Sequence, residues 1–270
     1  MTAQPAILGF LRAVWLLPLL VGGTCRAWDT TPHQRITKAA LDSLPKQFLN
    51  RLGPESKPLI ELYCIFPDRY QEMAEFGFVR KSAGPRDISE IAAYCVRPDG
   101  EAIHGASGDW ETDAGSVVYL FERILTNLAE KRPGEAARFA GVLSHFIADT
   151  LSPPHAVSAD RLLAMTPLSA QTEGIRIHSA IERSIPEFTL ADRAPRMAGE
   201  HLLPAAKSIF DQCYAAAERN RADLPTMVNA ASTHDEKTLD VYRLRAGKRA
   251  AEILADALFT LFTMSQPGRR

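Results

Sequence analysis

The chain has 270 residues, of which 46% are hydrophobic and 23% are charged, enough apolar content to bury one sizeable core. This composition excludes a disordered or collagen-like chain. The 31 basic and 32 acidic residues nearly cancel, which excludes a protein whose overall positive charge would attract it to nucleic acid.

The first 27 residues have the pattern of a secretory signal peptide. Arg12 precedes an apolar run over residues 13–21, and the small residues Cys25 and Ala27 would occupy positions −3 and −1 of a cleavage site. The run is shorter than the roughly 20 apolar residues that span a bilayer. We therefore expect cleavage after Ala27 and a secreted or periplasmic protein; an uncleaved segment would instead be a membrane anchor.

Cleavage would change the charge and the cysteine count of the chain. It removes two of the basic residues and no acidic residue, which leaves residues 28–270 with a formal charge of −3 and with Trp28 at the N-terminus. Three cysteines remain, Cys64, Cys95 and Cys213. An exported chain can form a disulfide, and Cys64–Cys95 is the pair nearest in sequence, but at least one thiol must stay free.

The remainder of the chain predicts helices joined by loops rich in Pro and Gly. Thr31 suits the N-cap of a first helix, with Pro32 at its first position and Gln34 completing a capping box. Residues 50–115 are rich in loops, with short helical pieces between them. Apolar residues at helical spacing predict further helices over 117–128, 135–151, about 171–185, 200–221 and 234–264.

No stretch alternates with period two over the length of a strand, and no repeat or linker divides the chain. We therefore predict an all-α fold in one compact multi-helix domain over residues 28–270.

Two pairs of residues have the spacing of metal ligands on a helix: His145 with Asp149, and His178 with Glu182. A four-residue spacing puts both side chains on one helical face, close enough to bind one ion. Either pair alone is as well explained by a surface ion pair. The first pair, however, lies in an apolar helix, where an unpaired His or carboxylate would be costly to bury. His155 follows directly after a Pro-Pro break.

Three further residues complete an ordered set: His33 in the first helix, Asp68 after Pro67, and His104 in a loop flanked by Gly105. Singly, each is more simply explained as a solvated or structural residue.

In its order and residue types, the whole set resembles the zinc-dependent phospholipases C and the related secreted three-zinc single-strand nucleases. The resemblance covers about residues 28–185, and its most specific part is His145-x3-Asp149-x5-His155 followed by His178-x3-Glu182. It implies a helical cleft with three zinc ions. One ion would bind Asp68, His104, His145 and Asp149. A second would bind His155, His178 and Glu182. The third would bind the α-amino nitrogen and carbonyl oxygen of Trp28, together with His33 and Asp149, which would bridge two ions.

The resemblance implies a zinc-dependent phosphoric ester hydrolase, in which clustered cations polarise the phosphoryl group and lower the pKa of a water. Asp68 is the candidate to assist deprotonation of that water. The interval from Asp68 to His104 is longer than the family pattern, so Asp87 and Asp99 stay open as alternative acidic ligands.

We expect a phospholipase C-like phosphodiesterase that cleaves phospholipid, as a monomer with transient contact to a membrane surface. The Pro67-Asp68 setting and Glu182 favour phospholipid, whereas the five-residue interval from Trp28 to His33 favours a single-strand nuclease or nucleotidase. A zinc-loaded binding protein without catalysis is the third alternative. Aromatic residues around Asp68 would stack bases, contact acyl chains, surround a quaternary ammonium or pack the core: Tyr63, Phe66, Tyr70, Phe76, Phe78 and Tyr94.

Overall fold

The computed structural model describes residues 28–75 and 88–266, with side chains described over 28–70 and 90–266. The predicted signal peptide, the fallback ligand Asp87 and the aromatic residues Phe76 and Phe78 lie outside the described residues.

The prediction of an all-α fold is confirmed. The described residues form helices and no strand, and their β-structure is limited to one isolated bridge between Val96 and Ala102. The helices are α1 Thr30–Asp42, α2 Lys46–Leu52, α3 Ser56–Glu61, α4 Phe66–Glu75, α5 Ile88–Cys95, α6 Trp110–Ala129, α7 Pro133–Thr150, α8 Ala159–Met165, α9 Leu168–Thr172, α10 Ile177–Glu182, α11 Leu202–Ser232 and α12 Glu236–Met264. Short 3₁₀ turns lie at Gly53–Glu55, Tyr63–Ile65 and Pro153–Ala156.

The centre of the fold is α7, which is buried from Ala136 to Thr150 with the single exception of Arg138. It packs against α6, α1, α12 and the turn Tyr63–Ile65. A helix buried on nearly every side must satisfy any polar side chain it carries, because water cannot do so. The polar residues of α7 therefore have to be explained by what the surrounding elements bring to them.

A glycine in α7 allows one of these neighbours to approach closely. A Cβ at Gly141 would lie 2.4 Å from the Cβ of Tyr63 and 2.5 Å from its carbonyl carbon, well inside contact distance. The absence of a side chain at Gly141 thus lets the turn Tyr63–Ile65 pack directly on the helix.

A second, smaller apolar cluster supports the short helices that follow α7. Leu162 of α8, Ala170 of α9 and Ile177 and Ile181 of α10 pack with residues of α11 and α12 in this cluster. It positions the six-residue α10, which is too short to be stable without tertiary packing.

Several predicted helix limits are wrong. The first helix begins at Thr30 with Asp29 as its N-cap, and no side-chain capping bond forms, so the capping box expected from Thr31 is absent. The helix expected over 171–185 is divided into α9 and α10 at Gly174, whose φ is +73°. The helix expected over 200–221 continues to Ser232 through Pro225.

Cys64, Cys95 and Cys213 are buried free thiols, so none of the disulfides that the sequence allowed is formed among the described residues. Burial raises the pKa of Cys64 and of Cys213 to about 12, which keeps both as thiols at neutral pH. None of the helices in the described part of the chain combines the length and hydropathy that a bilayer span requires.

Candidate metal centre

The site begins with His145 and Asp149, which are one turn apart on α7. Both side chains are fully buried, and His145 Nε2 lies 3.1 Å from Asp149 Oδ2. The other ring nitrogen, Nδ1, lies 2.9 Å from the carbonyl oxygen of Cys64. Because a carbonyl can only accept, Nδ1 carries the proton and donates it there, which leaves the lone pair of a neutral His145 on Nε2. The contact fixes the orientation of this imidazole, with Nε2 facing Asp149.

His33 reaches the same carboxylate from α1. Its Nε2 lies 3.2 Å from Asp149 Oδ1, and both side chains are inaccessible to solvent. The His33 ring stacks on that of His145 with centroids 4.1 Å apart and planes inclined by 12°. The two oxygens of Asp149 therefore face different neighbours, Oδ1 towards α1 and Oδ2 towards His145.

His104 and Asp68 close the other side of this group. His104 Nδ1 lies 3.0 Å from Asp149 Oδ2, and its Nε2 lies 3.1 Å from Asp68 Oδ1. Asp68 Oδ1 is also 3.7 Å from His145 Nε2. The structure thus brings together two residues that are 36 positions apart, with α5 and the bridge Val96–Ala102 lying between them in the chain.

Gly105 allows the loop of His104 to approach α7. A Cβ at this position would lie 2.8 Å from the Cβ of Asp149, closer than real Cβ atoms come to one another. A larger residue would push the loop, and His104 with it, away from the carboxylate.

A second group lies beyond the end of α7. His155 is carried by the turn Pro153–Ala156, and His178 and Glu182 lie one turn apart on α10. His155 Nε2 is 3.4 Å from Glu182 Oε1, and His178 Nδ1 is 2.8 Å from Oε2. The hydroxyl of Ser152, itself fully buried, donates a hydrogen bond to Glu182 Oε1. This bond orients the carboxylate towards the two imidazoles.

Three groups of ligand atoms result, two of which share His145, and within each group the atoms lie within 4.8 Å of one another. The groups are His33, His145 and Asp149; Asp68, His104 and His145; and His155, His178 and Glu182.

Most of the buried atoms of these groups face one another at ion-pair distance without the geometry of a hydrogen bond, as expected for metal ligands. Nine buried side-chain nitrogen or oxygen atoms have no hydrogen-bond partner among the described residues, and most belong here. Since an unpaired buried polar atom costs about 1–3 kcal/mol, their convergence favours a further occupant that accepts imidazole and carboxylate ligands, and zinc is such an ion. The atoms are His33 Nδ1 and Nε2, His145 Nε2, Asp149 Oδ1 and Oδ2, His155 Nε2 and Glu182 Oε2.

In the metal-free protein, the electrostatics of these groups favour ionised carboxylates and a protonated His104. Burial alone would raise the pKa of Asp149, but the charges of His145 and His104 hold that pKa well below its ordinary value. Burial lowers the pKa of His104, but the negative charge of Asp149 outweighs that effect and raises the pKa to about 10. Burial and the neighbouring His145 lower the pKa of His33. Without a metal, protons on imidazoles therefore balance the carboxylates, and a bound cation would replace them.

Asp68 differs from Asp149 in its access to solvent. Its side chain is 14% exposed whereas that of Asp149 is fully buried. Burial raises the pKa of Asp68, but the charge of His145 and the hydrogen bond from His104 bring it below the ordinary value. Asp68 is therefore an ionised carboxylate at the open side of the group. Asp99, the other acidic candidate that the structure describes, is exposed and pairs with Arg97, so the structure does not place it in the site.

Trp28 lies against α7 beside the buried carboxylate. Its side chain is fully buried, and the indole Nε1 donates to the carbonyl oxygen of Ala148 at 3.0 Å. The amide of the next residue, Asp29, donates to the carbonyl oxygen of Glu182 at 3.5 Å. These contacts hold the segment before α1 between the two groups of ligands. The role of the Trp28 α-amine as a ligand stays a prediction.

A groove of about 1110 Å³ opens beside the second group and is lined by His155 and His178. Its other walls come from α8, α10 and the loop around Ser107. The aromatic residues Tyr63, Phe66 and Tyr94 pack instead with Phe139 and one another in the core.

Two features of the site had no counterpart in the sequence analysis: the hydroxyl of Ser152 and the carbonyl of Cys64. A serine after a helix end is common, and a carbonyl has no residue type, so no spacing pattern identifies either one. The position of Ser152 three residues before His155 was the one available indication.

A family model described as zinc-dependent phospholipase C matches residues 32–220 of the chain. A search of curated proteins and a search of solved structures each gave no match. The matched segment contains His33, Asp68, His104, both ligand pairs and His155. The dependence of this family on zinc agrees with the imidazole and carboxylate groups described above.

Proposed function

The chain belongs to the zinc-dependent phospholipase C family, and from this premise we propose that it is an exported phosphodiesterase that cleaves phospholipid on the glycerol side of the phosphate. The observation that carries this proposal is the convergence of unpaired buried imidazole and carboxylate atoms within the segment that the family model matches. The group His155, His178 and Glu182 suits a catalytic zinc ion, because three protein ligands would leave one coordination position open to water beside the groove, whereas structural sites are closed by four ligands.

The proposed centre contains three zinc ions. Asp68, His104, His145 and Asp149 would bind one ion, and His155, His178 and Glu182 a second. His33, Asp149 and the backbone nitrogen and oxygen of Trp28 would bind the third once the signal peptide is removed.

Asp149 supports this division, because its two oxygens point to different imidazoles. Oδ1 lies near His33, and Oδ2 lies near His104 and His145. A carboxylate can bridge two ions in this way, whereas His145 Nε2 has one lone pair and can bind one ion only. His145 therefore belongs with Asp68 and His104 in the proposal, although it also lies near His33.

When bound, zinc would polarise the phosphoryl oxygens and lower the pKa of a water. The chain supplies the remaining functions. Asp68, ionised and accessible from the open side, accepts the proton of the attacking water. The bond from His145 Nδ1 to Cys64 keeps the ring in one tautomer, and the Ser152 hydroxyl keeps Glu182 in one orientation. The groove beside His155 and His178 receives the substrate.

The proposed location follows from the sequence of residues 1–27. Export would give a protein that begins at Trp28 and acts as a monomer with transient contact to a lipid surface.

A substrate comparison on the zinc-replete protein beginning at Trp28 tests the proposed function. Release of headgroup phosphate from phosphatidylcholine and phosphatidylglycerol micelles is measured beside degradation of single-stranded DNA and RNA. We expect lipid hydrolysis that is abolished in Asp149→Ala and retained in Asp192→Ala, which removes an exposed carboxylate outside the site. Nuclease activity with intact lipid would establish the nuclease alternative instead, and zinc binding without either activity would favour a binding protein.

A further inference from the structure

The groove beside the second ligand group has an unbalanced charge. Three arginines line it, Arg161, Arg176 and Arg221, together with His155 and His178. None of the described residues that line it is an aspartate or glutamate. The nearest acids in sequence, Asp160 and Glu173, are exposed and are not among the lining residues. A groove with this lining has a positive potential that favours an anion.

Two of the arginines are free to bind a ligand. Arg221 donates from Nε to the carbonyl oxygen of Ala156 at 2.8 Å and pairs with Glu218 at 2.9 Å, so it is largely fixed by the protein. Arg161 and Arg176 are exposed, and neither guanidinium has an ion pair or hydrogen bond to another described residue. Guanidinium groups without protein partners are suited to bidentate binding of carboxylate or phosphate oxygens.

The uncharged walls of the groove combine aliphatic and small polar side chains. Leu162, Leu163, Ile175 and Ile177 contribute to them, and no aromatic side chain is present among the described lining residues. An aromatic cage or a carboxylate is what a quaternary ammonium requires, and an aromatic platform is what a single-stranded base requires. The groove has neither of these features. Leu163 is 57% exposed at the groove, and Leu168 on the neighbouring α9 is 74% exposed, which suits contact with lipid.

We propose that this groove selects phospholipids whose headgroup lacks a cation, so that anionic lipids such as phosphatidylglycerol are preferred over phosphatidylcholine. This proposal rests on the proposed function, which defines the bond that is cleaved. The headgroup preference is argued from the lining of the groove alone. Arg161 and Arg176 are the specificity-determining residues, and His155 and His178 connect the groove to the metal centre.

The test compares two short-chain lipids that differ in the headgroup alone, dihexanoyl phosphatidylglycerol and dihexanoyl phosphatidylcholine. We expect kcat/KM to be higher for the anionic lipid by about tenfold, because the choline cation of phosphatidylcholine would be repelled by the two free guanidinium groups through modest, solvent-screened interactions. The Arg161→Gln/Arg176→Gln variant should lose this preference. The control Arg219→Gln/Lys248→Gln removes two exposed charges outside the groove and should retain it. High salt should reduce the preference of the wild type, because it screens exposed charges.

Equal kcat/KM for the two lipids, or an equal effect of the two double variants, would refute the proposed headgroup preference. The proposed phospholipase C activity would still stand. If neither lipid is hydrolysed, the proposed function fails, and calorimetric titration with non-hydrolysable phosphonate analogues of both lipids decides the selectivity. Tighter binding of the anionic analogue, lost in Arg161→Gln/Arg176→Gln, would support it. Equal or absent binding would refute it.

Discussion

Replacing Ser152 with alanine should weaken zinc binding while leaving every proposed ligand in place. The Ser152 hydroxyl donates to Glu182 Oε1, and both residues are buried, Glu182 at 1% exposure. Loss of a hydrogen bond that orients a metal ligand typically lowers metal affinity by about 10- to 100-fold, or about 1.4–2.7 kcal/mol. In the metal-free protein, losing a hydrogen bond to this charged carboxylate should also lower the free energy of unfolding by about 1.5–3 kcal/mol.

The assay is the zinc retained after dialysis against increasing concentrations of a chelator, with guanidinium unfolding of the metal-free protein alongside it. Ser116→Ala is the matched control, because Ser116 is also buried but donates to the Thr112 carbonyl within α6 at 3.0 Å. Ser116→Ala should lower the free energy of unfolding somewhat and should retain as much zinc as the wild type. A Ser152→Ala variant that released zinc at the same chelator concentration as the wild type would show that this hydrogen bond does not support zinc binding.

Three further predictions concern the rest of the site. Protein beginning at Trp28 should bind more zinc than protein with one extra N-terminal residue, since an amide nitrogen is a poor ligand; equal zinc content would exclude the terminal amine. In the metal-free protein, the raised pKa of His104, about 10, contributes stability that is complete below about pH 6.5 and lost as the pH rises towards 10. The guanidinium midpoint of His104→Gln should therefore change less with pH across that range than the wild-type midpoint does. An unchanged pH dependence would contradict the raised pKa of His104. Gly105→Ala should reduce zinc content and activity, because its Cβ would lie 2.8 Å from that of Asp149, whereas Gly134→Ala in α7 meets its nearest atom at an ordinary 3.4 Å and should leave both unchanged.

The sequence predicted the central helices well and the peripheral ones less well. The helices expected over 117–128 and 135–151 correspond to α6 and α7, because their apolar spacing is regular and proline marks the boundary between them. Pro225 would be expected to end α11, yet the helix continues through it. Loss of one backbone hydrogen bond is offset there by packing of Leu224, Met227 and Val228 in the second apolar cluster, a tertiary contribution that local sequence does not contain.

The sequence identified the residues that the structure brings together in the candidate site, but not the contacts between them. The histidines and acids of α7 and α10 follow from helical spacing. The juxtaposition of Asp68 with His104 does not, because it depends on how α4 and the loop of His104 both fold back on α7. The free arginines of the groove could not be predicted from spacing either, since Arg161 in α8 and Arg176 in the loop before α10 come together only in the folded chain.

Anomalous diffraction at the zinc edge, from crystals of the protein beginning at Trp28, would show whether three zinc ions occupy the proposed ligand sets. We expect three peaks, each about 2.0–2.2 Å from nitrogen or oxygen atoms of one proposed ligand set, with Asp149 contacting two of them. Absence of a peak at the His145–Asp149 group and at the His178–Glu182 group, or peaks confined to other parts of the surface, would contradict the proposed metal centre.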